Sequence, residues 1–308
     1  MSFKGLRKPY RSLALAAVAA GVVSTGCGQQ YVVLHPVGPV GEQELHLMIL
    51  AAIAMAVVIV AVFTLYFYAV ARFRDKPGNA APYRPEWHGH KLLETLWWII
   101  PVVLLTVIAI PTVQVTYALD RLPKGKNPVV IDVTSLTWKW LFEYPGQHIA
   151  TVNYLEIPTG KPVLFELTAN SPMNTLWIPQ LGGMEYTMPN RVLPLWLQAD
   201  KPGMYWGDSG QYSGTGFEKM FFKVKAVSPK AFAVWASKTH ATATPLTLAS
   251  YHQLLKHDTM GQALYGSYPK DTFPSIASGF TLNGQGMYMT MHGPHGSIKY
   301  LPMSATQK

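Results

Sequence analysis

Two long apolar runs near the front of the chain, with a train of short β-branched and aromatic segments behind them, predict a membrane-anchored α+β protein. A two-helix transmembrane hairpin would carry an extracytoplasmic β-sandwich and a partly helical C-terminal extension. Apolar residues make up 49% of the 308 positions, but their concentration in the two runs is what points to a membrane.

Residues 1–26 read as a signal peptide. Lys4, Arg7, Lys8 and Arg11 precede an apolar run from Leu13 to Val23, shorter than the roughly 20 residues that a span needs. Small residues then lead to Cys27, the sole cysteine, which stands where a bacterial lipoprotein signal places the residue that is cleaved and acylated. Ser24 departs from that pattern, which usually has Leu three residues before the cysteine. A single thiol excludes an intramolecular disulfide and any metal centre that needs two thiolates.

The spans come next. Residues 45–71 carry no formal charge and suffice for one transmembrane helix; residues 92–119 supply a second. Pro101 and Pro111 lie inside the second run, where neighbouring helices can satisfy the freed backbone. Trp87, Trp97 and Trp98 sit near one end, as an aromatic belt would. The loop 72–91 holds Arg72, Arg74, Lys76, Arg84 and Lys91 against Asp75 and Glu86, whereas Gly28 to Glu44 has no Lys or Arg. The loop is therefore cytoplasmic, and everything after Leu119 is exported. A signal peptide gives the same topology.

Residues 120–227 alternate β-formers with Pro, Gly and Asn turns, which predicts a small antiparallel sandwich or barrel. Residues 228–280 look helical, with Phe232, Val234 and Trp235 as an apolar stripe. Residues 281–308, rich in Gly, Met and Ser, read as a flexible, irregular tail. Internal repeats and phosphate-loop or dinucleotide patterns are absent from the sequence, and "GTGFEK" fits neither.

Within that frame, "LLETLWWIIP" resembles the Glu–Trp–Pro signature at the start of the second span in subunit II of haem–copper respiratory oxidases. "WKWLFEYPG" is similar to that family's aromatic strand, and "NTLWIPQLGGMEYTMPNRV" to the cupredoxin segment that bears its first copper ligand. The likeness covers essentially Cys27 to Val227. Beyond Ser228, "FAVW" resembles the extension found on quinol-oxidase members. The resemblance implies a cupredoxin-like sandwich.

It also gives meaning to the loop "GDSGQYSGTGFEKM", Gly207 to Met220. Cytochrome c oxidase members hold a dinuclear copper centre with two Cys, two His, one Met and a Glu carbonyl. The corresponding positions here are Ser209 and Ser213, Asn174 and Phe217, Met220, and Gln211. Hydroxyl and amide groups are hard, weak copper ligands, and Phe offers no ligand atom. Only Met220 survives, and the loop reads as a copper site without copper.

The resemblance implies subunit II of a proton-pumping terminal ubiquinol oxidase of a bacterial inner membrane, which reduces oxygen to water. This chain would carry no redox cofactor; haems and one copper belong to subunit I, where membrane quinol would be oxidised. Subunit I and smaller membrane subunits are the expected partners, with neither nucleic acid nor cytochrome c among them. From Asp120 onward sixteen Lys and Arg outnumber eleven Asp and Glu, a poor surface for a basic cytochrome c. The alternatives are a true cytochrome c oxidase subunit II, or a membrane-anchored cupredoxin-like binding or sensor module.

Glu94, at the cytoplasmic mouth of the second span, has two readings: the entrance of a proton path shared with subunit I, or an interfacial carboxylate paired with Lys91 or favoured by the helix dipole. Trp138 and Trp140 are expected to be core and interface aromatics. Met287, Met289, Met291, His292 and His295 form a weak soft-ligand candidate in the tail. His88 and His90 are expected to face headgroups.

Overall fold

A computed structural model describes residues 31–74, 77–79, 86, 89–123, 127–170, 172–189, 191–270, 272–273, 277–283, 286–292 and 298–302. After Phe273 the backbone course alone is described. The signal segment, Cys27, Trp87, His88 and His295 lie outside these residues.

Helix α1 (Pro39–Phe73) begins six residues before the apolar run, because Gly38 supplies an extended N-cap and Pro39 a first position that needs no hydrogen-bond partner. Helix α2 (Lys91–Leu119) runs through both internal prolines and packs against α1 as a hairpin. Both helices are long and apolar enough to cross a membrane. Their flanks are bare: Leu65, Trp98 and Leu105 are 68%, 72% and 68% exposed. In water such a surface would aggregate; lipid tails or apolar partner helices suit it. Thr64, Thr95, Thr106, Thr112 and Thr116 each donate a hydroxyl hydrogen bond to the carbonyl four residues back, so none presents a free donor to hydrocarbon.

Ten strands follow: β1 (Val129–Leu136), β2 (Lys139–Tyr144), β3 (Ile149–Val152), β4 (Tyr154–Pro158), β5 (Val163–Ala169), β6 (Asn174–Trp177), β7 (Met184–Thr187), β8 (Leu193–Leu197), β9 (Gly203–Ser209) and β10 (Phe222–Val227). With β11 (Ala263–Tyr265) they form two sheets, β11-β3-β2-β1-β5-β8 and β4-β10-β9-β6-β7. The sandwich is not purely antiparallel as expected. β1 runs parallel to β5, and β4 parallel to β10. Each pair joins strands far apart in sequence, so the chain leaves one sheet and returns in the same direction.

Between the sheets lies a closed aromatic and aliphatic core. Phe222 sits at its centre, 5.7 Å from Trp140 and 5.0 Å from Phe142 by ring centroids. Burying such a ring contributes roughly 1.5–3 kcal/mol. Gly207 lies directly beneath Phe222, where any Cβ would collide with the ring, so the close approach requires glycine.

Helix α3 (Pro229–Thr242) starts at Ser228, whose hydroxyl accepts the Ala231 N–H at 3.3 Å. Its buried face is Phe232, Ala236 and Thr239, with Trp235 against Tyr144 at 5.6 Å. Val234 does not share it. Two residues along a helix is about 200° of turn, which leaves Val234 61% exposed. A short helix α4 (Leu248–Leu254), capped by Thr247, lays Tyr251 and Leu254 on the outer face of the six-stranded sheet beside Leu136, Leu141 and Val152. The extension is thus mixed, since its β11 also completes that sheet. The segment expected to be irregular instead holds an antiparallel meander of β12 (Ala277–Asn283), β13 (Gly286–His292) and β14 (Ile298–Pro302). There Phe280, Thr281, Tyr288, Thr290 and Tyr300 favour strand over the Gly and Met around them.

The hairpin joins the sandwich at two places. At the start of α1, the N–H groups of Val37 and Gly41 donate to Gln180 O at 2.7 Å and Leu181 O at 3.0 Å. The Asp200 N–H donates to Val37 O at 2.8 Å. Glu44 accepts the Gly183 N–H at 2.9 Å, and Val40 enters the core. At the end of α2 the Trp196 indole donates to Leu119 O.

Candidate functional site

Three of the six positions that correspond to copper ligands meet in one hydrogen-bonded cluster. Asn174 opens β6 and is fully buried; its Nδ2 donates to Ser135 Oγ at 2.7 Å and to Pro172 O at 3.0 Å. Ser209, at the end of β9, places its Oγ 3.1 Å from Asn174 Oδ1 and 3.3 Å from Gln211 O, which share its single proton. Next to it, burial raises the carboxyl of Asp208, although that group accepts the Ser209 N–H at 2.8 Å. The other three positions lie in the loop, and two of them answer to tryptophans. Ser213 O accepts the Trp138 indole N–H at 3.1 Å. Met220 is fully buried, and its carbonyl accepts the Trp140 indole N–H at 3.4 Å. Phe217 opens a single 3-10 turn ending at Lys219 and meets Tyr212 edge-on at 5.6 Å.

Trp138 shapes this loop. It stands at φ 62°, a left-handed conformation uncommon for a bulky residue. Its ring covers Gly216 so closely that a Cβ there would enter it, and Gly214, at φ 115°, turns the chain around it.

These residues do not fit a dinuclear copper centre. The amide of Asn174 and the hydroxyl of Ser209 are committed to each other and to protein groups. Phe217 has no donor atom, and no thiolate pair exists to bridge two metals. Among the described residues, no three His, Cys, Asp or Glu side chains are grouped to hold a metal ion. A crevice of about 460 Å³ lies elsewhere, where Gln147 and Lys161 face Phe232 and His240 of α3, and none of the six loop positions lines it.

Glu94 occupies the first turn of α2, where its carboxyl crowds Gly89. Among the described residues no ion pair joins it to Lys91. His90 is the N-cap of α2 and makes no side-chain cap bond. Met287, Met289 and Met291 occupy alternate positions of β13, with His292 next in the strand.

One group of residues is invisible to motif reading. Asp132 on β1 lies opposite Glu143 on β2 and Glu166 on β5, so three carboxyl groups cross three adjacent strands in one row. Each stands alone in an apolar stretch ("VIDVT", "LFEYP", "LFELT"), and only the register unites them. Glu143 is fully buried and accepts a hydrogen bond from Thr272 through Oε1, while among the described residues its Oε2 has no partner.

Residues 39–115 match the family described as cytochrome c oxidase subunit II, transmembrane domain. Quinol oxidase subunit 2 of Bacillus cereus is 41% identical over 267 residues, covering 85% of this chain and 92% of its own length. Cytochrome bo(3) ubiquinol oxidase subunit 2 of Pseudomonas aeruginosa is 32% identical over 296 residues, 95% of this chain and 88% of that one. The crystal structure of the periplasmic domain of cytochrome oxidase subunit II from Bradyrhizobium japonicum covers 37% of this chain and 94% of its own, at 22% identity and a TM-score of 0.36.

Proposed function

The chain belongs to the quinol oxidase subunit 2 family, and on that premise we propose that it serves its oxidase complex without a redox centre of its own. The observation that carries this reading is the cluster of Asn174, Ser135, Ser209 and Gln211, whose donors and acceptors are spent on one another. Electrons then have no port in the sandwich, and quinol delivers them at the haems of subunit I, which also holds the one copper of the complex. This chain performs no chemistry. It covers subunit I from the periplasmic side of the inner membrane and packs two helices against it and the smaller subunits. Proton pumping is a property of that assembly.

The purified complex tests this. Oxygen consumption should follow added quinol and ignore reduced cytochrome c. Metal analysis should find a single copper, with no mixed-valence spin signal. A copper pair that stays with this chain after the subunits are separated would overturn the reading.

Two further roles belong to the same proposal. Glu94 collects protons for subunit I from the cytoplasmic side. Glu94→Gln should slow turnover while assembly and haem content stay normal, and turnover unchanged over a wide pH range would leave Glu94 only its helix-end role. Cys27 is the acylated first residue of the mature chain; mass spectrometry that finds Met1 intact, or cleavage elsewhere, would remove that assignment.

A further inference from the structure

We propose that the outer face of the six-stranded sheet holds a proton-binding site, the facing carboxyl groups of Asp132 and Glu143, and that its protonation latches the segment from Leu246 to Phe273 onto the sandwich. The inference is independent of which molecule donates electrons.

Side chains directly opposite in neighbouring strands stand about 5 Å apart, and like charges there repel. Asp132 and Glu143 face each other across β1 and β2, and Thr272 of the C-terminal segment reaches Glu143. Thr272 donates to Glu143, and Tyr251 donates its hydroxyl to Thr272 O at 3.3 Å. On the far side of Glu143 the neighbouring strand brings no countercharge, since β3 offers Ala150 there. The covering segment contributes the phenols of Tyr251 and Tyr268, and Lys270 and Asp271 flank Thr272 closely in the chain. The buried ammonium of Lys139 is spoken for, since it donates to Leu254 O and Lys256 O at 3.0 Å each. Two residues from Asp132 along β1, the buried hydroxyl of Thr134 has no partner among the described residues. Two facing carboxyl groups, one of them fully buried, are most stable when protons remove their charge.

Electrostatics agree with the geometry. Burial, then Glu166 and Glu143, pushes the Asp132 carboxyl up to about 8. Burial pushes Glu143 up to about 7, in spite of the opposing hydrogen bond from Thr272. Burial also raises the Tyr268 phenol, with Glu143 and Asp132 adding to it. Carboxyl groups raised in the latched state bind protons that they release when the segment lifts. The latch therefore holds fully below about pH 4, where the released carboxyl groups are protonated too, and weakens as pH rises from there until it passes about 7 to about 8.

The purified full chain in a lipid nanodisc decides the matter by hydrogen exchange at about pH 5.5 and about pH 9, corrected for intrinsic rates. Amides of residues 246–273 should exchange at least about tenfold faster at the higher pH, while those of β1 and β5 stay protected. Asp132→Asn combined with Glu143→Gln should hold the segment at both values. Equal protection of the wild-type segment at both pH values would overturn the proposal, as would a pH response that survives in the double variant. Should that variant fail to fold, infrared titration of the wild-type chain decides instead. A protonated-carboxyl band present at neutral pH must fade in step with segment release, and absence of that band refutes the latch.

Discussion

Two of the places where the sandwich buries polar side chains are built on opposite plans. Around Asn174 the groups are neutral, and they supply one another's donors and acceptors. On the outer face of the six-stranded sheet the groups are ionisable and of one sign, and Glu143 keeps one carboxyl oxygen without a partner among the described residues. The first arrangement is indifferent to pH and offers nothing to a metal. The second changes charge with its surroundings. Polar burial alone therefore does not mark a functional place; what decides is whether the buried groups satisfy one another.

The largest change would come from undoing the neutral cluster altogether. Asn174→His, Ser209→Cys, Ser213→Cys and Phe217→His together restore a copper-binding donor set around Met220 and the Gln211 carbonyl. A full chain so altered should take up copper and show a delocalised mixed-valence spin signal, against none in the parent. Copper bound without that signal would mean that the six positions do not converge. Making the neutral cluster ionisable is the next step down. Asn174→Asp replaces a donor to Ser135 and Pro172 with a buried carboxylate, whose proton affinity in the folded state must rise. Its destabilisation relative to wild type should grow with pH, reaching about 3 kcal/mol in alkaline denaturant titrations. A constant difference across pH would show that the cluster admits water.

A smaller effect tests the acidic row. Thr272→Val removes a hydrogen bond that ties the segment to Glu143 and favours its charged form, so the segment should release at a lower pH. The latched state should lose about 1 kcal/mol, read from the midpoint of the same exchange titration. Smallest of all is Ser213→Ala. The Ser213 hydroxyl is buried without a partner among the described residues, so its removal should be neutral, or stabilising by a few tenths of a kcal/mol. Thermal denaturation showing a clear loss would reveal a contact that the loop is not thought to make.

The hairpin and the existence of the sandwich were legible in the sequence because each rests on local pattern. Uncharged length identifies α1 and α2, and β-branched runs between Pro and Gly identify most strands. What escaped reading is set by pairing at a distance. The parallel partners β1 and β5 look no different from antiparallel ones. Nor can the row of Asp132, Glu143 and Glu166 be assembled without the register. The copper-ligand positions came from the family resemblance, yet Ser135, the hydroxyl that occupies Asn174, lies 39 residues away and carries no signal. Val234 and the β12–β14 meander were misjudged for nearer reasons: a stripe drawn one position too wide, and composition weighed above strand propensity.

The joints between hairpin and sandwich have a mechanical consequence. A body tethered by one flexible linker can swivel freely above a membrane. This one is grasped where α1 begins, through Val37, Val40, Gly41 and Glu44, and again where α2 ends, through Leu119 and Trp196. Two anchorages leave rocking about the line between them as the remaining rigid rotation, and the wedge of Val40 in the core resists even that. Tilting of the helices within the bilayer is thereby geared directly to the sandwich, so a change in membrane thickness would register as a change in its pitch.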